Sequence, residues 1–295
     1  VARRFALACL AGLRMTPERA GPDSDRRDEE SGMRVQLDGY EIACTDAGRG
    51  LPLLFVHGFP LSRRVWAHQV AAFAPAHRVL APDLRGLGES PLGTGEISIA
   101  AYADDLAALV RRLDTGPVVL AGHSMGGYVA LAFTRAHPEL LRGLVLVATR
   151  AVPDSPEAAA GRRTTAAEVE RDGMRGLAAR MASQLLAPEP DEPGLRAEIA
   201  ALIAASAPAG VVAALHAMAA RPDATPLLPT LRVPTLVITG DADSLIPPAE
   251  SERMAAAIPG AELVTIPGAG HLVAHERPAA FNRALAGWLS RAGLA

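Results

Sequence analysis

Six short apolar runs, LPLLFVHG, HRVLAPD, GPVVLAGHS, LRGLVLVAT, VPTLVITGD and AELVTIPG, recur along the chain and restrict its fold more than any other feature. They are β-branched and lack the polar alternation of a half-exposed strand, so each reads as a strand covered on both faces. Between them, residues 62–74, 98–114, 126–136 and 249–257 have helical spacing. Strands alternating with helices build βαβ units, which places the chain in the α/β class with a mainly parallel sheet flanked by helices. Upstream, Met33 to Leu37 and Tyr40 to Thr45 read as a hairpin turning at Asp38-Gly39, a pair suited to positive φ.

Two intervals depart from this rhythm. Residues 151–230 contain no strand-like run, are rich in Ala, Arg, Met and Glu, and carry breakers at Pro188, Pro190, Pro193 and Pro208, so they predict short helices inserted as a lid between two strands. Residues 16–32 are charged and lack bulky apolar groups, a composition that cannot repay the entropy of ordering. The expected division is a disordered N-terminal arm over 1–32, a core formed by 33–150 and 231–295, and a helical lid over 151–230. No internal repeat is visible.

Composition removes several classes of function. With 49% hydrophobic and 21% charged residues the chain can bury a globular core, and a net charge of -3 provides no general attraction for nucleic acid or anionic lipid. The partner expected is a small molecule, with neither nucleic acid nor membrane. Cys9 and Cys44 have no second Cys or His at metal-ligand spacing. Arg3-Arg4 followed by Phe5 to Leu13 resembles the start of an export signal, but the run is short and gives way to Arg14 and Pro17 without a small-residue cleavage site. The location expected is cytoplasmic, and no run elsewhere reaches the roughly 18 apolar residues of a spanning helix.

The strongest chemical signal is Gly122-His123-Ser124-Met125-Gly126-Gly127, which follows Val118 to Ala121 and precedes the helix-like Tyr128 to Phe133. The pattern G-x-S-x-G between strand and helix forms a sharp turn that lifts the Ser as a nucleophile, with small residues on either side to avoid clashes. Outside that context it is only a Gly-rich turn. His57-Gly58-Phe59-Pro60 follows another strand, and the main-chain N–H groups of Phe59 and Met125 are candidates for the two donors that an oxyanion requires. His57 reads as a support of its loop, since the base is expected late in the chain. His123 is expected to point away from the nucleophile.

Two late segments supply partners. In Thr239-Gly240-Asp241-Ala242-Asp243-Ser244 an acidic pair ends a strand, where functional side chains of parallel sheets collect, and either Asp can be the acid or merely cap a turn. Gly268-Ala269-Gly270-His271 follows the next strand and offers the base, with His275 as rival. The order Ser, Asp, His is the one this architecture produces.

Together HGFP, DLRGLGES, GHSMGG, the G-D-A-D turn and GAGH resemble the α/β-hydrolase superfamily over residues 33–295. The resemblance implies an α/β-hydrolase fold with an inserted lid, and a triad of Ser124, Asp243 and His271 with Phe59 and Met125 at the oxyanion hole. Asp241 becomes a structural neighbour, and Asp83 to Ser90 a bracing loop. It further implies acyl transfer on small esters or lactones without metal or organic cofactor, because HGFPLS and GHSMGGYVAL are similar to the enol-lactonase and carboxylesterase branch. The same segments are similar to cofactor-free haloperoxidases, so perhydrolysis is an alternative, and a hydrolase-like binding protein is another. Ser at 124 argues against family members that place a carboxylate there. Phe59, Met125, Met174, Met181, Leu185 and Met218 are expected to line the pocket.

Overall fold

The computed structural model describes residues 32–188 and 194–295. Residues 1–31 of the expected N-terminal arm lie outside the described residues, as do Pro190 and Pro193. Among the described residues eight strands form one sheet: β1 Met33–Leu37, β2 Tyr40–Ala47, β3 Pro52–Val56, β4 Arg78–Pro82, β5 Val118–His123, β6 Leu141–Val147, β7 Thr235–Gly240 and β8 Glu262–Ile266. Their order is β1-β2-β4-β3-β5-β6-β7-β8. The pairs β1–β2 and β2–β4 are antiparallel and all others parallel. The hairpin turns at Asp38-Gly39, with Gly39 at φ 85°.

Every residue of β3, β5 and β7 is buried, as continuous apolar runs require in a sheet covered on both faces. The run at β8 behaves differently. It is an edge strand with one neighbour, and Leu263 is 38% exposed, because apolarity alone does not reveal whether a run lies at the centre or the rim of a sheet.

The helices are α1 Ala67–Phe73, α2 Ile99–Arg112, α3 Met125–Ala136, α4 Pro156–Asp172, α5 Arg175–Gln184, α6 Leu195–Ala204, α7 Pro208–Ala219, α8 Pro248–Ala257, α9 Val273–Glu276 and α10 Pro278–Arg291. Local chemistry fixes several ends: the Ser98 hydroxyl accepts from Ala101 N at 3.0 Å to open α2, and Ser155 caps α4 with Pro156 at its first position. Helices α4 to α7 fall between β6 and β7, the interval that lacks strand-like runs. No single described helix is long and apolar enough to cross a membrane.

Trp66, Trp288, Tyr102, Phe55, Phe133 and Phe281 are the largest fully buried side chains, and the Trp66 ring sits 5.0 Å from Phe55 and 5.9 Å from Phe281. Burial of such a side chain contributes about 1.5–3 kcal/mol. The loop after β4 is held by Asp83, fully buried, which accepts from the main-chain N–H of Arg63 at 2.6 Å and of Glu89 at 2.8 Å and pairs with the Arg63 guanidinium. This is the bracing role expected for that loop. Because β3, β5, β6 and β7 run parallel, the segments that leave their C-terminal ends gather along one edge of the sheet, where α/β proteins build their sites.

Candidate active site

Ser124 stands between β5 and α3 with φ 52° and ψ -114°, a backbone state that costs a non-Gly residue on the order of 1–3 kcal/mol and persists only where the surroundings enforce it. The surroundings are specific. Ser124 N–H donates to Val147 O at 2.9 Å, and its carbonyl accepts from Gly127 N at 2.9 Å and from the Thr149 hydroxyl at 2.8 Å. The turn closes because Gly122 and Gly126 lack side chains: a Cβ on Gly122 would meet Gly127 N at 2.8 Å, and one on Gly126 would meet His57 O at 2.8 Å. The strand-to-helix reading of G-x-S-x-G therefore matches the local geometry.

The late carboxylates separate by what they touch. Asp243 is 4% exposed; its Oδ1 accepts from the main-chain N–H groups of Leu245 and Ile246, each at 2.9 Å, and its Oδ2 lies 2.8 Å from His271 Nδ1. Asp241 is exposed and accepts from Gly268 N at 2.7 Å, which ties the end of β7 to the turn before His271. His271 Nε2 is buried and has no hydrogen-bond partner among the described residues. The structure thus joins His271 to Asp243 and leaves Nε2 without a hydrogen bond to Ser124, whose chain neighbour His123 makes the connection instead.

His123 makes its contacts with His271. Its ring lies 4.8 Å from the His271 ring, and Nε2 is 2.9 Å from the His271 carbonyl oxygen. A carbonyl can only accept, so Nε2 carries the hydrogen. Burial first, and the electrostatic influence of the neighbouring His271 ring second, hold the His123 pKa well below the usual histidine value, so the ring stays neutral. His123 thus clips the loop that carries His271 to the turn that carries Ser124. Sequence offered only its adjacency to Ser124; the partner is 148 positions away.

The other histidines keep supporting roles. His57 Nε2 accepts from Leu84 N at 2.9 Å and Nδ1 lies 2.9 Å from Gly58 O; burial lowers its pKa despite the opposing charge of Asp83. His275 sits on α9, faces Glu198 of α6 at 3.5 Å and packs 5.6 Å from the His68 ring. The segment after α5 is bound to the same region: Leu272 N–H donates to Leu185 O at 3.0 Å, and Ala187 N–H to the Glu276 carboxyl at 2.8 Å, a group whose pKa burial raises.

The main-chain N–H groups of Phe59 and Met125 donate to no other group among the described residues, and Met125 begins α3, where the helix dipole adds positive character. A cavity of about 340 Å³ opens beside Ser124, with Phe59, Met181, Met218, Leu177 and Ile246 on its apolar walls. Part of the expected lining is corrected: Met125, Met174 and Leu185 are not among the residues around this cavity, since a Met or Leu in a helical segment does not announce which face it takes. Sequence reasoning also missed three arginines on the cavity wall, Arg150, Arg162 and Arg180. Among the described residues no group of three or more His, Cys, Asp or Glu side chains is arranged to hold a metal.

Comparison with known proteins agrees with this architecture. A model of the alpha/beta hydrolase family matches residues 53–284. A thermophilic esterase from Thermogutta terrifontis, solved with malate bound, is 44% identical with a TM-score of 0.86 over 88% of this chain and 99% of its own. The enol-lactonase from Burkholderia xenovorans LB400 is 28% identical with a TM-score of 0.80, covering 88% of this chain and 100% of its own. A non-heme chloroperoxidase from Kitasatospora aureofaciens is 31% identical over 80% of this chain and 90% of its own.

Proposed function

The chain belongs to the alpha/beta hydrolase family, and on that premise we propose that it is a serine hydrolase that cleaves carboxylic esters or lactones of small substrates through an acyl-enzyme. The observation that carries this reading is the buried His271, bound to Asp243 through Nδ1 with Nε2 left without a partner, on a loop that His123, the chain neighbour of the strained Ser124, holds at 2.9 Å. In the reaction, His271 Nε2 takes the proton of Ser124 Oγ as that oxygen attacks the carbonyl carbon. Asp243 holds the tautomer and stabilises the resulting cation. Phe59 and Met125 N–H groups receive the oxyanion. The same Nε2 then gives its proton to the departing alkoxide, and in the second step takes one from the water that attacks the acyl carbon and returns it to Ser124 Oγ as the acyl–oxygen bond breaks, which frees the acid. The helices α4 to α7 act as a lid that walls the cavity above Ser124.

The identity shared with the esterase and the lactonase supports ester chemistry. Similarity to a chloroperoxidase favours one second reading, in which peroxide replaces water on the acyl-enzyme. Turnover of p-nitrophenyl acetate, with an acetyl mass on the Ser124 peptide after rapid quench, tests the first reading. Failure of Ser124→Ala to abolish both would overturn it. Peroxide-dependent halogenation in acetate buffer that outpaces ester hydrolysis would favour the second.

A further inference from the structure

The cavity beside Ser124 has an uneven charge. Its described charged lining residues are Arg150, Arg162 and Arg180, with no acidic side chain facing them across the space. Behind the wall lies Asp154, whose side chain is fully buried and paired with Arg150 at 2.8 Å, Arg221 at 2.9 Å and the Arg162 guanidinium. Burial pushes the Asp154 carboxyl up, but the hydrogen bonds and charges of Arg162 and Arg221 outweigh it and hold the pKa below the usual range, so it is ionised. Arg180 pairs with Glu168 at 2.8 Å. Four guanidinium groups thus meet two carboxylates, which leaves two positive charges in excess at a partly enclosed wall.

The placement of these groups is specific. Arg150 follows Thr149, whose hydroxyl holds the Ser124 carbonyl, so the end of β6 delivers a cation to the nucleophile's own cavity. Its Nε is buried without a hydrogen-bond partner among the described residues. Arg162 reaches the same cavity from α4 and Arg180 from α5, and the side chains of Arg150 and Arg162 are 25% and 22% exposed although both pair with Asp154. A wall built only to close a core would not aim surplus guanidinium groups at an open cavity, because partly desolvated charge is costly unless a counter-charge arrives.

We propose that this cavity selects esters or lactones that carry a second, anionic carboxylate, received by Arg150 and Arg162 while the scissile carbonyl lies at Ser124. The inference rests on the ester-hydrolase reading above. Planar guanidinium pairs suit a carboxylate because they offer paired N–H donors in a fixed fork. The anion can reside on the acyl or on the alcohol half of the substrate.

Two matched pairs of substrates test it: monoethyl adipate against its carboxamide isostere, and acetylated hydroxybutyrate against its carboxamide, followed by ethanol or acetate release. In at least one pair the carboxylate member should exceed the amide in kcat/KM by about tenfold or more, with the preference falling as salt is added. The pair that responds shows which half carries the anion. Arg162→Gln should reduce the carboxylate-to-amide ratio about tenfold, with partial recovery in Arg162→Lys. Arg180→Gln, which leaves Asp154 with all its partners, should reduce the ratio less and serves if Arg162→Gln does not fold. Equal or amide-favouring ratios in both pairs, or a ratio that neither salt nor any arginine variant moves, would overturn the selectivity while p-nitrophenyl acetate turnover keeps the hydrolase reading. No turnover of p-nitrophenyl acetate would overturn both.

Discussion

Asp243→Asn should lower kcat by about four orders of magnitude, and the reason can be followed atom by atom. Oδ1 of Asp243 accepts two main-chain N–H groups, from Leu245 and Ile246, while Oδ2 meets His271 Nδ1. In the Asn side chain the carbonyl oxygen must keep the Oδ1 place. The flipped amide would set its NH2 against two main-chain donors, one of them buried, and a buried group left unsatisfied costs about 1–3 kcal/mol. The amide nitrogen therefore faces His271 Nδ1, which becomes an acceptor, and the imidazole hydrogen moves to Nε2, the atom that must accept the Ser124 proton. Loss of the working tautomer costs on the order of 10⁴ in kcat, or roughly 5 kcal/mol of barrier. KM should change little, because Asp243 is buried and does not line the cavity. The assay is steady-state hydrolysis of a p-nitrophenyl ester, with the melting temperature as a fold control. Asp241→Asn is the comparison: its exposed carboxylate accepts only Gly268 N–H, a bond that an amide oxygen can also accept, so the loss should be less than roughly threefold. A loss under tenfold in Asp243→Asn, with the larger loss at Asp241, would refute the reasoning.

His271→Ala should leave only the residual rate of the oxyanion hole and binding, whereas His275→Ala, which alters a contact with Glu198, should keep the bulk of kcat; the reverse ranking in the same ester assay would move the base to His275. Gly126→Ala places a Cβ 2.8 Å from His57 O, against backbone that cannot yield cheaply, so the melting temperature should fall by several degrees, equivalent to about 1–3 kcal/mol by calorimetry. Stability should decline on acidification because His57 and His123 are held neutral by pKa values below 6.5. Above that value their contribution is fully present; below it the unfolded chain binds protons that the folded one refuses, so stability is lost toward the folded pKa at up to about 1.4 kcal/mol per pH unit for each ring. His123→Gln should therefore flatten the melting-temperature slope between pH 7 and pH 5, and an unchanged slope would count against a neutral buried His123.

What the sequence determined by itself is local. Six apolar runs became β3 to β8, the Asp38-Gly39 pair became a hairpin turn, and small residues around Ser124 allowed a strained turn that larger ones would block. These outcomes depend on neighbours along the chain: β-branched runs favour strands, and a missing Cβ decides how closely two segments approach. The turn that carries Ser124, the loop that carries His271 and the order of these segments were legible for the same reason. Partner choice was not. Residues alone left Asp241 and Asp243 open, and only tertiary structure shows which carboxylate reaches His271, 28 positions from Asp243, and which ties a turn. It also brought His123 against a loop from the far end of the chain, left Met125, Met174 and Leu185 out of the cavity wall, and set β8 at the rim. The arginines of α4 and α5 look in sequence like an ordinary solvated helix surface, because whether a cation faces bulk water, a buried Asp154 or a cavity depends on which helix face docks, and that is decided by packing between segments distant in the chain.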